Sequence, residues 1–206
     1  MIKNALLIVL SFTLLLLSKS ALASSSILLL GDSLSASYGM KQNEGWVYLL
    51  NQQLKNEQAD YSIINASISG ETTAGGLARF PSILASEEFD YLVIELGGND
   101  GLRGFPTHVI KNNLLQIIKL AKASKIKVFL MDVRIPPNYG PRYNKMFINV
   151  FAEVASETEV ELLPFFMEQI AVEPHLMQND GIHPNIKAQE KIVKIMNQQF
   201  SRIVRD

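Results

Sequence analysis

From residue 27 onward, the chain alternates short runs of apolar residues with longer segments of helical periodicity. The apolar runs lie at 27–30, 61–64, 91–96 and 126–131, with a shorter fifth run at 161–163. Segments with a helical pattern lie at 46–55, 73–85, 107–123, 143–156 and 186–204. Runs that are apolar throughout are typical of strands in a parallel sheet that is covered on both faces. The alternation therefore predicts an α/β architecture.

Five strand–helix alternations predict a single flavodoxin-like three-layer sandwich. In this fold a five-stranded parallel sheet has helices on both faces, and right-handed crossovers join its strands. The functional groups of open α/β sheets lie beyond the carboxyl ends of the strands. A functional site is therefore expected in the segments that directly follow the predicted strands.

The first residues have the pattern of a secretory signal peptide. Lys3 precedes an apolar run at 5–17, and small residues close the segment at Ala23. That run is shorter than the roughly 20 residues that cross a bilayer core, which favours a cleaved signal over an uncleaved anchor. We therefore expect residues 1–23 to be removed and residues 24–206 to form one exported domain, periplasmic or secreted.

Composition excludes several classes of protein. The chain contains no cysteine, so it has neither disulfides nor a thiolate metal site. Loss of Lys3 and Lys19 with the signal changes the formal net charge from −1 to −3. A mildly acidic domain without a cluster of basic residues is a poor candidate for nucleic-acid binding. The mature chain also lacks a basic amphipathic helix, so we expect no stable membrane insertion after cleavage.

Polar or glycine-rich segments stand at four places where a parallel sheet would bring them together. They are 31–35 after the first strand, 65–70 after the second, 97–100 after the third, and 180–184 before the last helix. Because the carboxyl ends of parallel strands share one edge of the sheet, these segments can converge on one rim.

Three side chains in these segments have the chemistry needed for acyl transfer. The Ser33 hydroxyl is a candidate nucleophile, which needs a base to accept its proton. His183 is a candidate base, and Asp180, three residues earlier, can hold its imidazole in one orientation. Pro184 biases His183 away from helical geometry. We also expect a helix to begin directly after Ser33, so that its N-terminus favours developing negative charge there.

A tetrahedral intermediate also needs hydrogen-bond donors for its oxyanion. The candidates are the backbone N–H groups of Ser33 and Gly70 and the side-chain amide of Asn99. Glycine lets the backbone approach a substrate closely, and a flexible turn at 97–98 is expected to place Asn99.

Each of these signals also has a plainer explanation. A Gly-Asp-Ser sequence after a strand is often only a turn or a helix cap. The Asp180–His183 pair could be a surface ion pair or half of a metal site. No matching cluster of further ligands appears in the sequence, so we expect neither a metal nor a cofactor. Asp32 and Asp100 are expected to hold loops together rather than to take part in chemistry.

The motifs Gly31-Asp32-Ser33-Leu34, Gly70, Gly98-Asn99-Asp100 and Asp180-x-x-His183 together resemble the four sequence blocks of the SGNH (GDSL) hydrolases. The resemblance spans essentially the whole mature chain. It implies one flavodoxin-like SGNH domain that acts on acyl-CoA thioesters, lysophospholipids and small aryl esters. It also implies a triad of Ser33, Asp180 and His183, with Ser33, Gly70 and Asn99 as oxyanion donors. One departure is Ser37, which stands where the family pattern has glycine.

The expected function is therefore an esterase or thioesterase for small-molecule acyl substrates, acting as a monomer. Apolar residues near the rim could line a groove for an acyl chain, namely Leu102, Phe105, Ile135, Pro136, Pro137, Tyr139 and Leu176. One alternative is a carbohydrate O-acetylesterase, which would need aromatic platforms. The only tryptophan, Trp46, lies in a predicted helix. A second alternative is a non-enzymatic phosphate or flavin binder using 33–37, which leaves Asp180 and His183 without a role.

Overall fold

The computed structural model describes residues 24–205, so the predicted signal peptide at 1–23 lies outside the described residues. Its five strands are β1 (Ser25–Gly31), β2 (Tyr61–Asn65), β3 (Tyr91–Glu95), β4 (Lys127–Met131) and β5 (Glu161–Leu163). All neighbouring strands pair in parallel, and their order in the sheet is β2-β1-β3-β4-β5. This is the flavodoxin-like strand order, and the predicted fold class is confirmed.

The helices form two packed groups. They are α1 (Trp46–Asn56), α2 (Thr73–Ser86), α3 (Gly98–Leu102), α4 (Thr107–Ala123), α5 (Pro141–Thr158) and α6 (Gln189–Arg205). Helices α1 and α6 pack against each other, while α4 packs against both α2 and α5. Right-handed crossovers in this strand order place the two groups on opposite faces of the sheet. Among residues 24–205, no helix has the length and apolar character needed to cross a bilayer.

The core lies on both sides of the two central strands. Residues 27–30 of β1 and 92–94 of β3 are fully buried, which explains why these strands are apolar at consecutive positions. On the face covered by α1 and α6, the Trp46 ring packs 5.9 Å from that of Phe166 and 6.1 Å from that of Phe200, measured between ring centroids. Trp46 is 1 % exposed, so it is a core residue.

Two local predictions were wrong. No helix begins after Ser33: the chain makes consecutive turns from 33 to 39, and α1 begins only at Trp46. One helix-like bond forms, from Ala36 N to the Asp32 carbonyl (3.0 Å). Ser37 then adopts φ +60°, the left-handed region, so the right-handed helical geometry does not continue. The expected flexible turn at 97–98 is instead the start of the short helix α3.

Candidate active site

Loops from the ends of β1 and β2 meet at the predicted rim of the sheet. The backbone N–H of Ile68 donates to the Gly31 carbonyl (3.1 Å), and that of Ala66 donates to the Leu29 carbonyl (2.9 Å). These bonds hold the loop after β2 beside the start of the Ser33 turn. Gly70, at the end of that loop, has φ +79°, a conformation that glycine adopts without steric cost.

Ser33, His183 and Asp180 lie in one hydrogen-bonded array. His183 Nε2 is 2.8 Å from Ser33 Oγ, and His183 Nδ1 is 2.6 Å from Asp180 Oδ2. The other carboxylate oxygen of Asp180 accepts the backbone N–H groups of Ile182 (2.9 Å) and His183 (3.0 Å). Partial burial alone would raise the pKa of Asp180, but these hydrogen bonds outweigh burial and lower it. Asp180 is therefore a carboxylate at neutral pH.

Two residues that sequence reasoning missed hold the His183 segment in place. The Tyr38 ring lies against the His183 imidazole, with centroids 4.2 Å apart and planes inclined by 33°. Gln178 Nε2 donates to the carbonyls of Tyr38 (2.8 Å) and Pro184 (3.0 Å), so it joins the two loops. No motif marks either residue, because their contacts join segments about 140 positions apart.

The side chain of Asn99 faces the Ser33 turn from α3. Gly97, with φ +114°, is the N-cap of this helix and lets the chain reverse from β3 into it. Asn99 Nδ2 donates to Asp32 Oδ2 (3.0 Å). An amide nitrogen carries two hydrogens, so one N–H of Asn99 remains for another acceptor.

Below this rim lies a pair of buried acids, Asp32 and Glu95. Glu95, the last residue of β3, is fully buried, and Asp32 is 2 % exposed. Burial is the largest cause that raises the pKa of each, and the neighbouring charge of Asp32 raises that of Glu95 further. In the sequence, Glu95 belongs to a predicted strand. Its one visible signal was a charged residue in an otherwise apolar run.

A groove of about 510 Å³ opens beside Ser33 and His183. Four of the seven predicted rim residues line it, namely Leu102, Ile135, Pro136 and Pro137. The other three do not: Phe105 is exposed, Leu176 is buried in the core, and Tyr139 lines a separate cavity. Apolar lining residues that the sequence did not reveal are Val133, Phe165, Met167, Ala171, Val172, Met177 and Ile182. Most of these come from the irregular segment after β5, which has no periodicity to interpret.

Asp100 does not line the groove and binds another helix. Its two carboxylate oxygens accept the Thr73 hydroxyl (2.6 Å) and backbone N–H (2.9 Å) at the start of α2. Within residues 24–205, no three histidine, aspartate or glutamate side chains form a cluster suited to a metal ion.

A parallel α/β sandwich with a serine, a histidine and an aspartate in contact at its carboxyl edge has the arrangement of serine hydrolases. Residues 29–191 match the model of the GDSL-like lipase/acylhydrolase family. The chain therefore belongs to this family and is an ester hydrolase, which confirms the resemblance to the SGNH (GDSL) hydrolases.

Individual relatives are similar over nearly their full lengths. The chain is 45% identical to "Esterase TesA" of Pseudomonas aeruginosa over 191 residues, which cover 93% of this chain and 94% of the relative. It is also 45% identical to "Thioesterase 1/protease 1/lysophospholipase L1" of Escherichia coli K12, with coverage of 93% and 90%. The crystal structure of the esterase EstA from Pseudoalteromonas sp., inhibited by monoethylphosphonate, matches with a TM-score of 0.86 and 47% identity. That match covers 88% of this chain and 100% of EstA.

Proposed function

We propose that this enzyme cleaves acyl esters and thioesters through an acyl-enzyme formed on Ser33. The observation that carries the proposal is the continuous hydrogen-bonded array of Ser33 Oγ, the His183 imidazole and the Asp180 carboxylate. In this array Asp180 accepts a hydrogen bond from the Nδ1–H group of His183, which leaves Nε2 free to accept the proton of Ser33.

The reaction takes place in two halves. Ser33 Oγ attacks the carbonyl carbon while its proton moves to His183 Nε2, and a tetrahedral intermediate forms. Collapse of this intermediate breaks the bond to the alcohol or thiol, which leaves with the proton from His183. A water molecule then attacks the acyl-enzyme by the same route, releases the acid and restores Ser33.

The oxyanion of each intermediate is assigned to the backbone N–H groups of Ser33 and Gly70 and to the Asn99 amide. Two features support this assignment. Asn99 keeps one N–H available beyond its bond to Asp32. A side chain at Gly70 would approach only Arg103, so the space beside this backbone is open. Donors aimed at a developing charge are usually a large part of such catalysis.

The groove favours an acyl chain over an acetylated sugar as the bound group. Its lining is mostly apolar, and the single tryptophan is buried in the core, where it offers no stacking platform. The relatives carry the names esterase, arylesterase, thioesterase and lysophospholipase, which agree with apolar acyl substrates. The phosphate-binding alternative loses its basis because no helix N-terminus follows Ser33.

We also propose that residues 1–23 are an export signal and that residues 24–206 act as one monomeric domain in the periplasm or outside the cell. This placement rests on the signal-peptide pattern of the sequence. Mass measurement of the protein after export tests it, because cleavage after Ala23 predicts a mature chain that begins at Ser24.

The proposed function is tested by measuring hydrolysis rates on four matched substrates: an aryl ester, an acyl-CoA, a lysophospholipid and an acetylated sugar. We expect Ser33→Ala to lower kcat on the first three by a factor on the order of 10⁶. Ser82→Ala, which removes an exposed hydroxyl on α2, is the matched control and should retain the wild-type rate. Equal kcat values for wild type and Ser33→Ala would exclude Ser33 as the nucleophile. A preference for acetylated sugars would favour the acetylesterase instead.

A further inference from the structure

Glu95 is a buried acid for which the reaction above has no use. Its Oε2 accepts the Ser35 hydroxyl (2.8 Å) and the Asp32 backbone N–H (3.3 Å). Its Oε1 is buried and has no hydrogen-bond donor among the described residues. Leaving a buried carboxylate oxygen without a donor is costly. A protonated carboxyl group can instead donate a hydrogen bond, so protonated Glu95 would need an acceptor at this atom rather than a donor.

The partner available to Glu95 is the carboxyl group of Asp32. The two acids are adjacent, because the backbone N–H of Asp32 donates to Glu95 Oε2 (3.3 Å). Asp32 already accepts two donors, because Oδ1 takes the Leu34 N–H (3.0 Å) and Oδ2 takes the Asn99 amide (3.0 Å). These bonds stabilise Asp32 as the anion. The proton of the pair is therefore better placed on Glu95, which can donate it to Asp32.

The charges around the pair agree with a single shared proton. Among residues 24–205, neither acid has a lysine or arginine in salt-bridge range. His183 is the group whose positive charge, when present, favours ionised Asp32. The Ser35 hydroxyl, which donates to Glu95, carries no charge, and neither does the Ser67 hydroxyl, which like Glu95 lies beside Gly31. Two like charges this deeply buried cannot both persist, so one acid stays protonated.

We infer that Glu95 retains its proton at neutral pH and, by donating it to Asp32, positions the Asn99 amide for the oxyanion. Glu95 is thus a positioning residue that acts through Asp32 and does not touch the substrate. The part that concerns Asn99 rests on the proposed function. The protonation of Glu95 does not, because it follows from burial and hydrogen bonding alone.

The pH dependence of stability tests the protonation without any activity measurement. Burial and the charge of Asp32 raise the pKa of Glu95 well above its ordinary value of 4.5. Above that pH the unfolded chain releases a proton that the folded protein keeps, so wild-type stability falls as pH rises. Glu95→Gln has no such proton. Burial also raises the pKa of Asp32 to about 6, so the test uses the range above that pH. The unfolding equilibrium constant of wild type, divided by that of Glu95→Gln, should rise close to tenfold per pH unit between about pH 6 and 7.

The matched control is Glu88→Gln, which removes an exposed carboxyl just before β3. The unfolding equilibrium constant of wild type, divided by that of Glu88→Gln, should not change with pH, since this side chain is solvated in both states. A Glu95→Gln ratio that is equally flat over the same pH range overturns the protonation of Glu95, whether or not the protein hydrolyses esters.

The kinetics of Glu95 variants test the positioning role. Glu95→Ala should lower kcat on an aryl ester by up to about 10²-fold with little change in KM, as a misplaced catalytic group does. Glu95→Gln should recover most of this loss, because its amide N–H can also donate to Asp32. In a protein that already carries Asn99→Ala, adding Glu95→Ala should lower kcat little further. Full additivity of the two losses in kcat would show that Glu95 does not act through Asn99.

Discussion

Asn99 contributes to the site through one side-chain amide, whose position depends on the groups behind it. The amide donates a hydrogen bond to Asp32, and its backbone belongs to the short helix α3. If its free N–H serves the oxyanion, its contribution appears only in the transition state.

We therefore expect Asn99→Ala to lower kcat by roughly 10²–10³ with little change in KM. Steady-state kinetics on a soluble aryl ester measure both constants. A change confined to KM would instead mean that Asn99 binds the substrate in its ground state.

Ser37 stands at a strained position beside the site. Its φ of +60° is unfavourable for a residue with a side chain. Ser37→Gly should raise the free energy of unfolding by up to about 1 kcal/mol, equivalent to a Tm increase of about 2–4 °C for a chain of this size. Thermal unfolding of the two proteins measures this. A lower Tm would show that contacts of the Ser37 side chain outweigh the backbone strain.

At the scale of single residues, the sequence could predict the candidate catalytic side chains but not the residues that hold those side chains in position. Ser33, Asn99 and His183 follow strands or precede a helix, so their approach to one rim follows from topology. Tyr38 and Glu95 could not be found in this way. Their roles arise from contacts between distant segments and from burial. The sequence marks Glu95 only as a charged residue in an apolar run, and it does not mark Tyr38 at all.

At the scale of elements, periodicity predicted the strands and long helices to within about three residues at each end. Helix α6 begins at Gln189 rather than at 186, since residues Ile186–Ala188 form a 3-10 turn capped by the Asn185 side chain. The two wrong predictions concern short segments after β1 and β3. After β1 the structure depends on one residue in the left-handed region, and after β3 the chain forms a helix of five residues. Periodicity cannot reveal segments this short.

The short helix α3 also stabilises its neighbour. Asp100 accepts both the backbone N–H and the hydroxyl of Thr73, which is fully buried at the start of α2. Asp100→Ala leaves these donors without a partner and should lower the free energy of unfolding by about 1–3 kcal/mol.

Urea unfolding of purified variants measures this loss. Asp100→Asn is the matched control, because its amide oxygen can still accept one of the two bonds, and it should lose less. Equal stability of Asp100→Ala and wild type would show that water replaces the carboxylate at this helix end.

At the scale of the whole molecule, the sheet brings the rim that carries Ser33 and His183 beside an apolar groove. The groove is built from the loop after β4 and the irregular segment after β5, which lie far from Ser33 in sequence. This explains why the rim could be predicted from strand ends while most of the groove lining could not.

An apolar groove beside Ser33 predicts a dependence on acyl length. Each CH₂ buried in the groove is worth about 0.8 kcal/mol, so kcat/KM should rise roughly fourfold per CH₂ until the groove is full. Val172, 74 % exposed at the groove, should affect only the longer chains. Val172→Asp is expected to lower kcat/KM for long acyl esters and to leave acetyl esters nearly unchanged.

The control is Val109→Asp, which places the same charge on an exposed part of α4 outside the groove. This variant should keep the wild-type dependence on acyl length. If Val172→Asp lowered the rates on all chain lengths equally, the groove would not be the acyl site.

Covalent labelling of Ser33 tests the central claim most directly. Wild-type protein is treated with a fluorophosphonate, and peptide mass spectrometry locates the phosphonate. The proposed array predicts one label on Ser33, much slower labelling in His183→Ala, and none in Ser33→Ala. A label on any other residue, or the same labelling rate without the His183 imidazole, would contradict the assignment of Ser33 as the nucleophile activated by His183.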